Sequence, residues 1–141
     1  MITKPKGYKA NGVYAGIKSD KDKLDLALIV STVPSIGAAV FTKNSIKAAP
    51  VLVSQKSVRD GNIRAFVVNS GNANCFTGSF GKIYARKTVE LVARELDISK
   101  TDVIVASTGI IGKTLPYKKI EKAMPALVDG LSKTAGTQAA H

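Results

Sequence analysis

The chain reads as an α/β domain, and three observations carry that reading. Its second half runs strand, polar loop, helix, strand, glycine turn, helix, which is an α/β order. Its first half holds short apolar runs separated by turn residues. Of its 141 residues, 45% are hydrophobic and 22% charged, enough for one core of ordinary size.

The elements follow in order. Over residues 12–18, Val13, Ala15 and Ile17 alternate with other residues and predict a strand. Residues 24–30 do the same with Leu24, Leu26 and Leu28, although Ala27 and Ile29 make the second face apolar too. Asp20-Lys21-Asp22-Lys23 between them reads as a polar hairpin connection. Val33-Pro34-Ser35 breaks the chain, and Ala38-Ala39-Val40-Phe41 predicts another strand over residues 37–42. Pro50 suits a first helical turn. Val51, Ser54, Gln55 and Val58 then favour a helix over the strand that the same stretch would also allow. Residues 63–68 read as a buried strand that runs into a polar loop, residues 69–78.

The clearest helix covers residues 79–96, with Ala85, Val89, Val92 and Leu96 on one face and Thr77 or Ser79 as a capping hydroxyl. A strand over residues 102–106 leads into a glycine turn. A helix over residues 116–131 then follows, with Ile120, Met124, Leu127 and Val128 on its apolar side. Residues 131–141 end without a clear stop, as though cut before the next element. No repeat or proline-rich linker divides the chain, so residues 1–141 are expected to form a single domain.

Several function classes are disfavoured. The net charge is +11, from 21 Lys plus Arg against 10 Asp plus Glu, but the cations are spread along the chain. That favours a solvated lysine surface over a nucleic-acid face, and a partner chain should be the more acidic one. No apolar run approaches the roughly 20 residues that span a bilayer, and no apolar segment follows the N-terminal basic residues. The single cysteine, Cys75, cannot form an internal disulfide, so the expected setting is cytoplasmic. It reads as an inert, partly buried thiol. His141 is the only histidine and reads as an exposed bystander, which argues against a Ser-His-Asp triad or a histidine metal site. No CxxC, GxGxxG or GxxxxGK[ST] pattern occurs, and no metal ligands are expected.

Two loops remain, each following a buried strand. Ser107-Thr108-Gly109 makes a tight turn whose backbone N–H groups could face a ligand, or a strand simply ending in a turn. Residues 69–78 spend three asparagines and two glycines where two or three residues would turn the chain. The amides of Asn69, Asn72 and Asn74 could scaffold a reacting carbonyl, or form an Asx-turn network that only holds the loop.

Six ordered blocks of this sequence resemble the N-terminal part of the ornithine acetyltransferase family, the bifunctional glutamate N-acetyltransferases of arginine biosynthesis. They are Gly7-Tyr8-Lys9-Ala10 with Gly16-Ile17-Lys18; Asp25-Leu26-Ala27-Leu28; Ala39-Val40-Phe41-Thr42 with Asn44; Ala48-Ala49-Pro50-Val51; Asn69-Ser70-Gly71-Asn72-Ala73-Asn74 with Thr77-Gly78; and Ala106-Ser107-Thr108-Gly109-Ile110-Ile111-Gly112.

The resemblance implies a layered sandwich of β-sheet and helices, shared with self-processing aminopeptidases, of which this chain is most of an alpha chain. It further implies a precursor that cuts itself before a threonine. That threonine then heads a beta chain and attacks the acetyl group of N-acetylornithine, with its own amine as base. The acetyl-enzyme passes the group to glutamate. The Thr108 hydroxyl and Gly109 N–H become the oxyanion hole, with Asn69, Asn72 and Asn74 as substrate contacts or loop support.

No cofactor is implied, though acetyl-CoA is a possible alternative donor, and the expected assembly is an alpha2beta2 heterotetramer. The nucleophilic threonine and cleavage site have no match here, so the chain alone is expected to be inactive. The alternatives are a self-processing aminopeptidase-like subunit and a non-catalytic basic binding module.

Overall fold

In the computed structural model, which describes residues 2–140, four strands form one sheet in the order β1 (Tyr8–Val13), β2 (Leu26–Ser31), β3 (Ala65–Asn69), β4 (Val103–Ser107). The first two pairings are antiparallel, and β3 and β4 run parallel. A parallel pair needs a crossover, here made by helix α2 (Gly78–Leu96). The expected α/β class is the observed one.

Alternation decides which side of the sheet is covered. Leu26, Leu28 and Val30 of β2, Ala65 and Val67 of β3, and Val103 and Val105 of β4 are buried on one face. Against them pack Ala85, Val89 and Val92 of α2 and Ile120, Met124 and Leu127 of helix α3 (Tyr117–Asp129). Burying a side chain of the Leu or Met size contributes about 1.5–3 kcal/mol. Helix α1 (Ala49–Ser57) runs along the edge strand β4. There the Ser54 hydroxyl accepts from the Val105 N–H at 2.9 Å and donates to the Val105 carbonyl at 2.7 Å. One pair of backbone groups that an edge strand would leave open is thereby closed.

Among the described residues the opposite face carries no α-helix, and the short turn Gln138–Ala140 covers part of it. Ala27, Ile29, Phe66, Val68, Ile104 and Ala106 point that way and remain half-buried. Two hollows open on it, of about 310 and 280 Å³, with Phe66 bordering both.

Some expectations are corrected. The first strand is Tyr8–Val13, not residues 12–18, because the buried Asp25 carboxylate captures the backbone beyond it. It accepts from the Ala15 N–H at 2.6 Å and the Lys18 N–H at 2.9 Å, so those amides serve a side chain instead of a strand ladder. The second strand begins two residues later than its periodicity suggests. Residues 37–42 form no strand, and Val40 is fully exposed. Their backbone finds no ladder among the described residues; the neighbouring Ile36 reaches only an isolated bridge to Asn62. Thr77 occupies the N-cap position of α2 but makes no capping bond: its backbone, at φ −112° and ψ 14°, is not the extended conformation of a capping residue, and its hydroxyl instead donates to Asn74 Oδ1 at 3.1 Å. The last residues return to the sheet: Ala10 and Ser132 exchange backbone hydrogen bonds of 3.0 and 3.1 Å, and a short turn at Gln138–Ala140 packs on β1 and β2. His141 lies outside the described residues.

Candidate active site

Strands β3 and β4 end side by side at Asn69 and Ser107, so the two polar loops leave the sheet from neighbouring carboxyl ends. Backbone bonds continue the pairing into the loops. The Thr108 N–H donates to Asn69 O at 3.0 Å, Ala73 N–H to Ile110 O at 3.0 Å, and Gly112 N–H to Cys75 O at 2.9 Å. Loops are normally more open than this, so something must remove their polar side chains from water.

The asparagines do so. Asn69, Asn72 and Asn74 are 3%, 2% and 0% exposed, a burial that polar residues tolerate only when their hydrogen bonds are satisfied. Ser107 Oγ donates to Asn69 Oδ1 at 2.6 Å, and Asn69 Nδ2 donates to Asn72 O at 2.8 Å. Asn72 Nδ2 reaches Lys113 O and Thr114 O at 3.0 and 3.2 Å, while its Oδ1 accepts from the Asn74 N–H at 2.8 Å. Asn74 Nδ2 donates to Gly81 O at 3.0 Å, which ties the loop to the first turn of α2. All three amides are thus committed to the two loops, the residues that follow them and the first turn of α2. Asn74 and Phe76 hold left-handed backbone at φ 46° and 58°, a conformation that a bulky residue such as Phe76 adopts only under constraint.

Thr108 and Gly109 stand apart from that network. Both are exposed, and neither the Thr108 hydroxyl nor the Gly109 N–H has a hydrogen-bond partner among the described residues. Gly109 sits at φ 130°, and a Cβ there would run into the Gly71 carbonyl carbon and the Asn72 nitrogen. Glycine is required on both counts. Two free donors therefore rest on a turn that is braced from behind by the loop after β3.

The chemistry on offer is hydrogen-bond donation, not proton transfer. In residues 69–78 and 107–112 the only titratable side chain is Cys75, a half-buried free thiol. The displaced titrations lie elsewhere, as with Tyr117, whose hydroxyl burial pushes up. No group of three or more His, Cys, Asp or Glu residues that could hold a metal ion occurs among the described residues. Among the described residues no helix is long and apolar enough to cross a membrane.

Two supports were missed by sequence reasoning. Ser107 orients Asn69, and Asp25 holds residues 15–18, where Ile17 and Lys18 lie against Gly71. The sequence signals for Asp25 are a carboxylate opening an apolar run and its place in the block Asp25-Leu26-Ala27-Leu28.

A family model described as the ArgJ family matches residues 9–141. The arginine biosynthesis bifunctional protein ArgJ of Caldanaerobacter subterraneus subsp. tengcongensis is 46% identical over 140 residues, covering 99% of this chain and 34% of that protein. Its counterpart from Geobacter sulfurreducens is 48% identical over 126 residues, covering 89% of this chain and 32% of that protein. The chain thus spans about a third of the length of the curated relatives it matches. Among solved structures, ornithine acetyltransferase from Mycobacterium tuberculosis, crystallised with ornithine, matches with a TM-score of 0.95 and 40% identity over 99% of this chain and 76% of that one. The ArgJ protein of Bacillus halodurans matches with a TM-score of 0.90 and 37% identity over 98% of this chain and 71% of that one.

Proposed function

Because this chain belongs to the ArgJ family, we propose that it is the oxyanion-binding part of an acetyltransferase of arginine biosynthesis, completed by a segment that carries the nucleophile. The acetyl donor is N2-acetylornithine and the acceptor is glutamate. The nucleophile is the N-terminal threonine of a beta chain, freed when the precursor cuts itself. Its hydroxyl proton passes to its own amine as the oxygen bonds to the acetyl carbon. The carbonyl electron pair moves onto oxygen, where the Thr108 hydroxyl and Gly109 N–H donate to it. Collapse breaks the carbon–nitrogen bond, and ornithine leaves with the proton. Glutamate's amine then attacks the acetyl-threonine ester and restores the hydroxyl.

The observation that carries this reading is the pair of unspent donors at Thr108 and Gly109 on a turn that only glycine can complete. Asn69, Asn72 and Asn74 act as supports, since their amides are committed to the loop after β3, to residues 113 and 114 and to α2. The half-buried apolar face at Ala27, Ile29, Phe66, Val68, Ile104 and Ala106 offers the beta chain a seat, within an alpha2beta2 assembly in the cytoplasm. No cofactor takes part; the carbonyl of acetyl-CoA, as an alternative donor, would meet the same two groups.

The test is co-expression with the C-terminal segment that the relatives carry, followed by an assay of acetyl transfer from N-acetylornithine to glutamate. Thr108→Ala should lower kcat by about 100- to 1000-fold, the usual effect of losing one such donor. A complex that keeps full activity with Thr108→Ala would sink the assignment. The chain alone should show no transfer, because neither loop holds a nucleophile beside a base.

A further inference from the structure

Helices α1 and α2 pack side by side and leave a cleft of about 290 Å³, floored by Leu52 and Val53. Lys56 and Arg59 reach it from α1 and the turn that follows, and Lys82 and Arg86 from α2, one helical turn apart. No carboxylate lines it, and none of the four cations is in an ion pair among the described residues. Glu90 borders the adjoining hollow, where Lys56, Arg86 and Lys100 outnumber it. All four charged side chains are exposed, so packing does not explain their convergence. Like charges gathered in one cleft repel, and a bound anion would offset that repulsion.

We infer that the α1/α2 cleft is a binding site for an oligophosphate, a small ligand with two or more linked phosphate groups. Two guanidiniums supply planar forks that match phosphate oxygens, and two ammoniums supply point charges beside them. Linked phosphates concentrate charge within one cleft. An acidic peptide spreads it at one carboxylate per roughly 3.3 Å of extended chain. The site stands apart from Thr108 and Gly109, and it does not depend on the acetyltransferase reading.

Calorimetric titration of the whole chain with inorganic triphosphate and with ATP, at about 0.1 M ionic strength, tests it. Saturable binding at one site per chain is expected. Arg86→Glu and Lys82→Glu should each weaken it about tenfold or more, the scale of one lost charge-assisted bond. Lys133→Glu, the same charge change on an exposed residue outside the cleft, should leave it intact. Because these positions are exposed, unchanged melting temperatures will separate lost binding from unfolding. Tighter binding of ATP than of triphosphate would identify a nucleotide source and equal binding a free oligophosphate, and both uphold the site. It is overturned by an absence of saturation, by an equal loss with Lys133→Glu, or by hexaglutamate binding at least as tightly as triphosphate.

Discussion

Residues 69–78 and residues 37–42 have exchanged the environments their polarity would assign them. The first stretch holds its three asparagines in the interior, with Asn74 fully buried, while Phe76 stands exposed. The second, Gly-Ala-Ala-Val-Phe-Thr, lies largely open, with Val40 wholly exposed. Burial here follows the closing of hydrogen bonds more than the apolar character of side chains. The asparagine loop has a partner for every amide, in the neighbouring turn, in residues 113 and 114, and in α2. The apolar stretch has no strand beside it to pair with among the described residues. An unpaired backbone is costly to bury, so it stays in water and holds its side chains there too.

The largest way to break this contrast is Gly109→Ala. The added Cβ would meet the Gly71 and Asn72 backbone at a φ of 130°, part the two loops, and make the asparagine stretch as loose as the apolar one. Urea denaturation should show a loss of about 3 kcal/mol, from a strained backbone and an overpacked contact together. Smaller but still clear is Asn74→Ala, which removes the donor to Gly81 O and the acceptor for the Thr77 hydroxyl. It should cost about 2 kcal/mol, from two lost hydrogen bonds and an alanine placed in left-handed backbone at φ 46°, and hydrogen exchange should quicken at residues 72–76. Smallest is Val40→Ser, expected within about 0.5 kcal/mol of the parent because the side chain touches little. A loss well beyond 1 kcal/mol there would mean that the apolar stretch is covered in solution, and the contrast would fail.

The elements read most accurately were those whose pattern is contained within them. The helix expected over residues 79–96 is Gly78–Leu96, and its face at Ala85, Val89 and Val92 is buried as the 3.6-residue spacing requires. The buried strand before the asparagine loop was legible from its run of apolar residues. The first strand ends before residues 15–18 because Asp25, ten and seven residues further on, takes the amides of Ala15 and Lys18, hydrogen bonds that hydrophobic periodicity does not register. Neither Thr77 nor Ser79 supplies the expected cap, because the chain enters α2 with Thr77 at φ −112° and ψ 14° and not in extended backbone. At the candidate site, Thr108 and Gly109 were legible as a turn with exposed donors. The brace behind them was not, since Ser107 meets Asn69 only once β3 and β4 lie side by side.

The sequence by itself determined the α/β order, the amphipathic helices, the two polar loops after buried strands, and the residues that carry the family resemblance. These depend on side-chain periodicity and on the conformational range of single residues, which are local properties. Only the tertiary structure decided that the asparagine amides face inward, that the Gly109 turn rests on Gly71 and Asn72, and that four scattered cations share one cleft. Those outcomes depend on which backbone and side-chain groups meet across the sheet and between helices, a matter of spatial closure that spacing along the chain does not encode.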